Sequence, residues 1–283
     1  MAFDHSQKTI RARLVNILLT ILIGYTAALL AIRLFESHLI FFPDYPGRLE
    51  GDWHPRNLPV QDVWVTSSDG TKLHAWWIPN DQAKFTLLAF HGNASNIANR
   101  AGTYAFLRDT PANVFALEYR GYGHSEGSPS EAGIYRDADA TYQYLLNTRG
   151  IDPKTIVSFG QSLGTAVAAD LAAHRRVAAV ILEAPFPSAA RLARKLFWFL
   201  PGIELFVHGQ LNTTANLNKS SAPVLIVHCT QDPVIPYRFG KAVYDSAPSP
   251  KKFLQIDGLC HEESSLIAPS KYRATLQEFL STL

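Results

Sequence analysis

Two pentapeptides in the 283-residue chain fit the pattern G-x-S-x-G: Gly123-His124-Ser125-Glu126-Gly127 and Gly160-Gln161-Ser162-Leu163-Gly164. A serine framed this way can be the nucleophile of an acyl transfer if it sits on a sharp strand-to-helix turn that lifts Oγ clear of a sheet. The glycines keep that crowded turn free of side chains. The residue after the serine offers its N–H to a developing oxyanion, and the helix start adds positive potential. The run "TIVSF" at 155–159 leads straight into Gly160, and "TAVAADLAAH" after Gly164 reads as a small-residue helix suited to close packing on a sheet. Ser125 lacks this setting. Its run "NVFALEY" ends at residue 119 and a turn-rich loop follows, in which Pro129 and a Ser130 cap start the next helix too late for an elbow. Ser162 is the expected nucleophile.

A reactive serine needs a histidine to take its proton and a carboxylate to orient the imidazole and stabilise its cation. On an open α/β sheet these follow in the order Ser, Asp or Glu, His, from loops at the C-terminal ends of strands. "PVLIVHCTQDPVIPY" supplies Asp232, four residues past its run, and "KFLQIDGLCHEESS" supplies His261. Asp257, Glu262 and Glu263 are alternative acids, but they share the loop of His261 and are badly placed to hold its ring. His228 and His208 are weaker bases. The oxyanion donors are expected to be the N–H groups of Leu163 and of Asn93 in "AFHGNASN", with Ala94 as the fallback and His91 as a structural histidine.

These residues must be carried by a regular scaffold. From residue 85 onward, short uninterrupted apolar runs at 85–90, 113–119, 155–159, 177–182, 223–228 and 252–256 alternate with helix patterns near 95–109, 130–148, 164–175, 236–247 and 269–282. That alternation predicts an α/β fold with a mostly parallel, twisted sheet and helices on both faces. Before it, "VQDVWVTSSDGTKLHAWWIP" reads as a hairpin around Asp69-Gly70, an antiparallel N-terminal edge. The long connection at about 187–221 predicts a short helical cap insertion. Its Phe197, Trp198, Phe199, Leu205 and Phe206 are candidates for a substrate pocket, or for contact with a bilayer, and equally for plain packing.

The remaining features bound the class. A net charge of +2, without a basic aromatic run, gives no reason to expect nucleic acid, and 47% hydrophobic content excludes disorder. None of the ten histidines has a metal-motif spacing, so neither metal nor organic cofactor is expected. Residues 14–32 carry no charge over a length that spans a hydrocarbon core, which predicts a transmembrane anchor. A cleaved signal peptide, with its shorter apolar region, is the rival. Lys8, Arg11 and Arg13 precede the segment, against Arg33 and Arg48 after it. The basic tail 1–13 is thus expected in the cytoplasm and the catalytic domain, 60–283, on the non-cytoplasmic side, joined by a connector at 33–59.

With Asn93, Ser162, Asp232 and His261 set on this pattern, the chain resembles the α/β-hydrolase superfamily from about residue 60 to its end, most specifically at "HGNASN", "YRGYGHSEGSPSEAGIYRDA", "GQSLG" and "TQDPVIP". Within it, the chain is similar to the N-terminally membrane-anchored serine hydrolases related to depalmitoylating acyl-protein thioesterases. The resemblance implies esterase or thioesterase activity on a small-molecule or lipid substrate, a helical cap, and a structural role for the Ser125 loop. The chain departs from its relatives at Cys229 and Cys260, its only cysteines, which flank the expected acid and base. They are candidates for a disulfide bracing the triad, or for small buried residues. A non-catalytic tethered scaffold and a serine peptidase are the competing readings. Oligomeric state is not legible.

Overall fold

A computed structural model describes residues 2–262 and 264–283, without the side chains of 2–10; Lys8 of the basic flank and the alternative acid Glu263 therefore lie outside what is described. The chain begins with helix α1, Ala2–Ile40, followed by the hairpin β1, Gln61–Thr66, and β2, Lys72–Ile78. Strand and helix then alternate: β3 Phe85–Phe90, α2 Ala101–Arg108, β4 Ala112–Leu117, α3 Glu131–Asn147, β5 Ile156–Gln161, α4 Gly164–His174 and β6 Ala179–Glu183. The insertion carries α5, Ala189–Leu196, and α6, Thr213–Leu217. The chain closes with β7 Val224–Cys229, α7 Tyr237–Ser246, β8 Lys251–Ile256, α8 Ser264–Ile267 and α9 Pro269–Ser281.

The described strands form one eight-stranded sheet in the order β1-β2-β4-β3-β5-β6-β7-β8. β2 pairs antiparallel with both β1 and β4, and every later pair is parallel. Apolar strands covered on both faces explain the absence of polar alternation in these runs. Leu88 and Phe90 of β3 join a core with α3, α4 and α7, while Leu87 and Ala89 turn to a second core with α2 and α9. Crossing back to the sheet centre, the chain places β5 beside β3 and β6, so the ends of these strands share one rim.

Helix α1 differs from the expected 14–32 segment. It continues without a break to Ile40, taking in the first eight residues of the connector. Residues 11–24 are exposed throughout, whereas Tyr25, Ala28, Leu29, Ile32, Glu36 and Ile40 are partly or fully buried at helical spacing. One face of the upper helix therefore packs on the domain. The reason is local: nothing in "RLFESHLI" breaks a helix, and the first proline comes at Pro43.

Candidate active site

β5 ends at Gln161 and α4 begins at Gly164, leaving Ser162 on the turn between them with φ +50°, in the left-handed region. That conformation is strained for a residue with a Cβ and is held only because its surroundings over-determine it. Ser162 N–H donates to the Glu183 carbonyl at 2.9 Å, and the Ser162 carbonyl accepts from Thr165 N–H. A Cβ on Gly160 would collide with the Gly164 carbonyl oxygen, and one on Gly164 with the Phe90 carbonyl oxygen. Both glycines are steric requirements of the elbow, as the pentapeptide implied.

His261 Nε2 lies 2.9 Å from Ser162 Oγ, and His261 Nδ1 lies 2.8 Å from Asp232 Oδ2. A carboxylate only accepts, so the imidazole proton sits on Nδ1 and Nε2 is left to accept from the serine hydroxyl. The other oxygen of Asp232 accepts from the N–H groups of Val234 and Ile235, both at 2.8 Å. Burial pushes the Asp232 carboxyl up, but the hydrogen bonds from His228 and His261 outweigh it and hold the group well below the usual carboxylate range. His228, the weaker base candidate, stands behind the acid, 3.4 Å from Asp232 Oδ2 and 2.9 Å from the Ile235 carbonyl. His208 lies in the insertion and bonds Arg33. Asp257 accepts from Gln255, and Glu262 pairs with Arg100 at 2.9 Å, so neither replaces Asp232 at Nδ1.

Cys229 and Cys260 are joined in a disulfide, with Cα atoms 5.7 Å apart. It links the end of β7, three residues before Asp232, to the residue preceding His261.

Asn93 and Leu163 border the cavity into which Ser162 opens. The Asn93 carbonyl accepts from Phe42 N–H at 2.9 Å and from the Tyr122 hydroxyl at 2.8 Å, which fixes the plane of its loop. His91 is buried, with Nε2 3.0 Å from Glu118, and has the structural role expected of it. Ser125 is equally buried. Its hydroxyl donates to the Glu118 carbonyl at 2.7 Å and accepts from His74 N–H at 2.8 Å, while Arg48 holds the carbonyls of Gly123 and Ser125. The first pentapeptide is thus a structural loop, pinned further by the Arg120–Asp137 ion pair at 2.7 Å.

The cavity encloses about 270 Å³ and is almost wholly apolar. The expected pocket needs correction. Of the five aromatic and leucine candidates, Phe197 lines the cavity, but Trp198 (79% exposed), Phe199, Leu205 (83%) and Phe206 face outward from the insertion. Their places are taken by Leu192, Leu196, Ile203 and Val207, and by Ile32, Leu39, Ile40 and Phe42 from α1 and its exit. Sequence reasoning missed the α1 residues because an apolar helix reads as an anchor before it reads as a wall. Their spacing at i, i+4 and i+7 with Glu36 among them was the available signal.

Glu183 was also missed. It is fully buried at the end of β6, where Oε2 accepts from Gln161 Nε2 at 2.9 Å and Oε1 from Ser264 N–H at 3.2 Å, tying the elbow to the segment after His261. Burial pushes its carboxyl up to about 7. The unfolded chain releases that proton at about 4.3, so the folded state binds more protons in between, and stability falls as pH rises through the window, by about 4 kcal/mol at most. Glu183→Gln leaves one donor without an acceptor at every pH but should remove this slope. Urea midpoints of both proteins at about pH 5 and about pH 8 check it; parallel pH dependence would mean that Glu183 is ionised in the fold.

A family model described as "Serine aminopeptidase, S33" matches residues 81–203. The chain is 34% identical over 272 residues to the alpha/beta hydrolase domain-containing protein WAV2 of Arabidopsis thaliana, covering 87% of each. It is 35% identical over 245 residues to protein 17B of that series from Xenopus tropicalis, covering 83% of this chain and 80% of the relative. Protein 17C of Mus musculus is 35% identical over 206 residues, covering 70% of this chain, and the match takes in 60% of the relative's own length. Among solved structures, an esterase of Pyrococcus furiosus superposes with a TM-score of 0.68 at 22% identity, over 86% of this chain and 99% of that one. An alpha-beta hydrolase of Vibrio vulnificus gives 0.67 at 24%, over 79% and 82%. At those identities the two structures share the fold.

Proposed function

The chain belongs to the α/β-hydrolase superfamily, and from that premise we propose that it is a membrane-anchored serine hydrolase of carboxylic esters or thioesters. The observation that carries this reading is the hydrogen-bonded chain from Ser162 through His261 to Asp232. Ser162 attacks the acyl carbonyl as His261 Nε2 takes its proton, and the N–H groups of Leu163 and Asn93 hold the oxyanion. His261 then protonates the leaving alcohol or thiol. It next draws a proton from water, whose attack on the acyl-enzyme releases the acid and restores Ser162. Asp232 holds the ring and its cation throughout.

An ester or thioester suits the cavity better than a peptide with a free amino terminus. Such a substrate brings an ammonium group that needs an unspent carboxylate. The acid among the lining residues is Glu36, whose oxygens already accept from the N–H groups of His208 and Gly209.

Residues 14–32 serve as the anchor in this reading, about 28 Å of helix at 1.5 Å per residue. Tyr25, inside that stretch, bonds the Pro201 carbonyl of the insertion. Tyr25 lies about 10 Å of helix before Ile32, so the outward-facing Trp198, Phe199 and Leu205 beside Pro201 would then dip below the bilayer surface, where apolar and aromatic side chains are favoured. The basic flank and the disulfide both favour a non-cytoplasmic, oxidising side for the catalytic domain.

Labelling of the full-length protein in detergent with a fluorophosphonate probe, followed by a panel of acyl esters, thioesters and peptide amides, tests the proposal. Labelling with turnover of esters or thioesters is expected. Absence of labelling in the folded protein would favour a tethered scaffold, and turnover confined to peptides would favour a peptidase.

A further inference from the structure

The loop that carries Asn93 and the loop that carries His261 leave strands far apart in the sheet. β5, β6 and β7 lie between β3 and β8, a separation of about 19 Å at the usual strand spacing. Pairing within the sheet therefore does not set one loop against the other. Yet an oxyanion donor and a base must meet at a single carbonyl, where a displacement of about 1 Å is costly.

A connection runs through Arg100, the residue before α2. Its Nη1 donates to the Asn96 carbonyl at 3.1 Å, and its Nη2 donates to the Ala94 carbonyl at 3.0 Å and to Glu262 Oε2 at 2.9 Å. The guanidinium thus closes the loop after β3 on itself and ties it to the residue that follows His261. Glu262 extends the link to the elbow, because its backbone carbonyl accepts from Gln161 Nε2 at 3.2 Å, one residue before Ser162. A Cβ on Gly92 would fall on Glu262 Oε1, so the carboxylate lies against the backbone that leads into Asn93. The two side chains are only 10% and 21% exposed, which shields the ion pair from water and salt. The peptide groups flanking the Asn93 N–H are therefore held from both sides: Phe42 and Tyr122 hold the Asn93 carbonyl, and Arg100 the next one.

We propose that Arg100 and Glu262 are positioning residues for the reaction, and that their ion pair holds the Asn93 N–H in register with Ser162 and His261. The inference rests on the serine-hydrolase reading and adds to it two residues that do not line the cavity. Losing an oxyanion donor outright costs about 10²–10³ in kcat, and releasing the loop that carries it costs part of that. Arginine suits the task because its planar fork reaches two loop carbonyls and a carboxylate at once, which a lysine ammonium does not match.

The test is the double variant Arg100→Met/Glu262→Gln in the full-length protein in detergent, which removes both charges together and leaves neither buried without its partner. On p-nitrophenyl acetate, kcat should fall about thirtyfold while KM stays within about twofold. The acid limb of the pH profile should stay in place, since His261 keeps its own partners, and the rate of fluorophosphonate labelling should fall with kcat. Wild-type kcat in the folded double variant would overturn the proposal. So would a loss of kcat matched by an equal rise in KM, or a displaced acid limb, which would put the effect on binding or on the base. Arg100→Lys keeps the charge without the fork and should lose about threefold or more in kcat. It decides the matter alone if the double variant does not fold, and an unchanged kcat there would then overturn the proposal. A wild-type protein that neither labels nor turns over the ester would remove the serine-hydrolase reading, and this inference with it. An active wild type beside an unaffected variant removes this inference only.

Discussion

Replacing Ser162 by alanine is expected to lower kcat on an activated ester by a factor of about 10⁶, with loss of fluorophosphonate labelling and no loss of folding. The size of the effect follows from the geometry. His261 Nε2 is 2.9 Å from the hydroxyl and has its proton on the other nitrogen, so removing Oγ removes both the bond-forming atom and the proton the base is set to take. What remains is the weak catalysis of binding and oxyanion donors alone. Ser125→Ala is the matched control. Its hydroxyl bridges the Glu118 carbonyl and His74 N–H in a buried loop, so its loss should cost about 1–3 kcal/mol of stability while labelling of the folded protein persists. Labelling lost in Ser125→Ala and kept in Ser162→Ala would reverse the assignment.

Asp232→Asn should reduce kcat by about 10⁴ with little change in fold, for a reason specific to how the carboxylate is shared. One oxygen accepts from the N–H groups of Val234 and Ile235, and the other faces His261 Nδ1. An asparagine must keep its carbonyl oxygen toward the two N–H donors, which leaves its NH₂ toward Nδ1. The imidazole is then forced to accept there and to carry its proton on Nε2, the nitrogen that must take the serine proton. Because Asp232 is held well below the usual carboxylate range, it stays ionised across the working pH, and the acid limb of the wild-type profile reports protonation of the base. Pre-steady-state acylation rates of both proteins, set beside their denaturation midpoints, separate this tautomer effect from unfolding. An unchanged acylation rate would show that Asp232 does not orient the base.

Much of this site was legible in the sequence. The strand-glycine-serine-helix sequence at 155–175 describes a steric situation within a dozen residues, and the collisions awaiting a Cβ at Gly160 and Gly164 are the same fact seen in space. The order of Ser162, Asp232 and His261 followed from parallel strands that all end on one rim. The same local reasoning set Ser125 aside, since an identical pentapeptide without a strand and helix around it makes a turn. Glu183 was not legible, because an acid closing an apolar run looks like a strand end that meets water. Burial in fact encloses it between Gln161 and Ser264.

By itself, then, the sequence determined the alternating α/β layers, the elbow and the identity of the three residues that meet there. These depend on short-range periodicity, glycine sterics and chain order. The cavity was decided by tertiary structure. Whether an apolar side chain faces lipid, core or substrate cannot be told from its type, since all three environments reward the same hydrocarbon. Phe199 and Leu205 went outward, and Ile32 and Ile40 went in. That choice was made by contacts across more than a hundred residues, where the carboxylate of Glu36 on α1 met the backbone of His208 and Gly209.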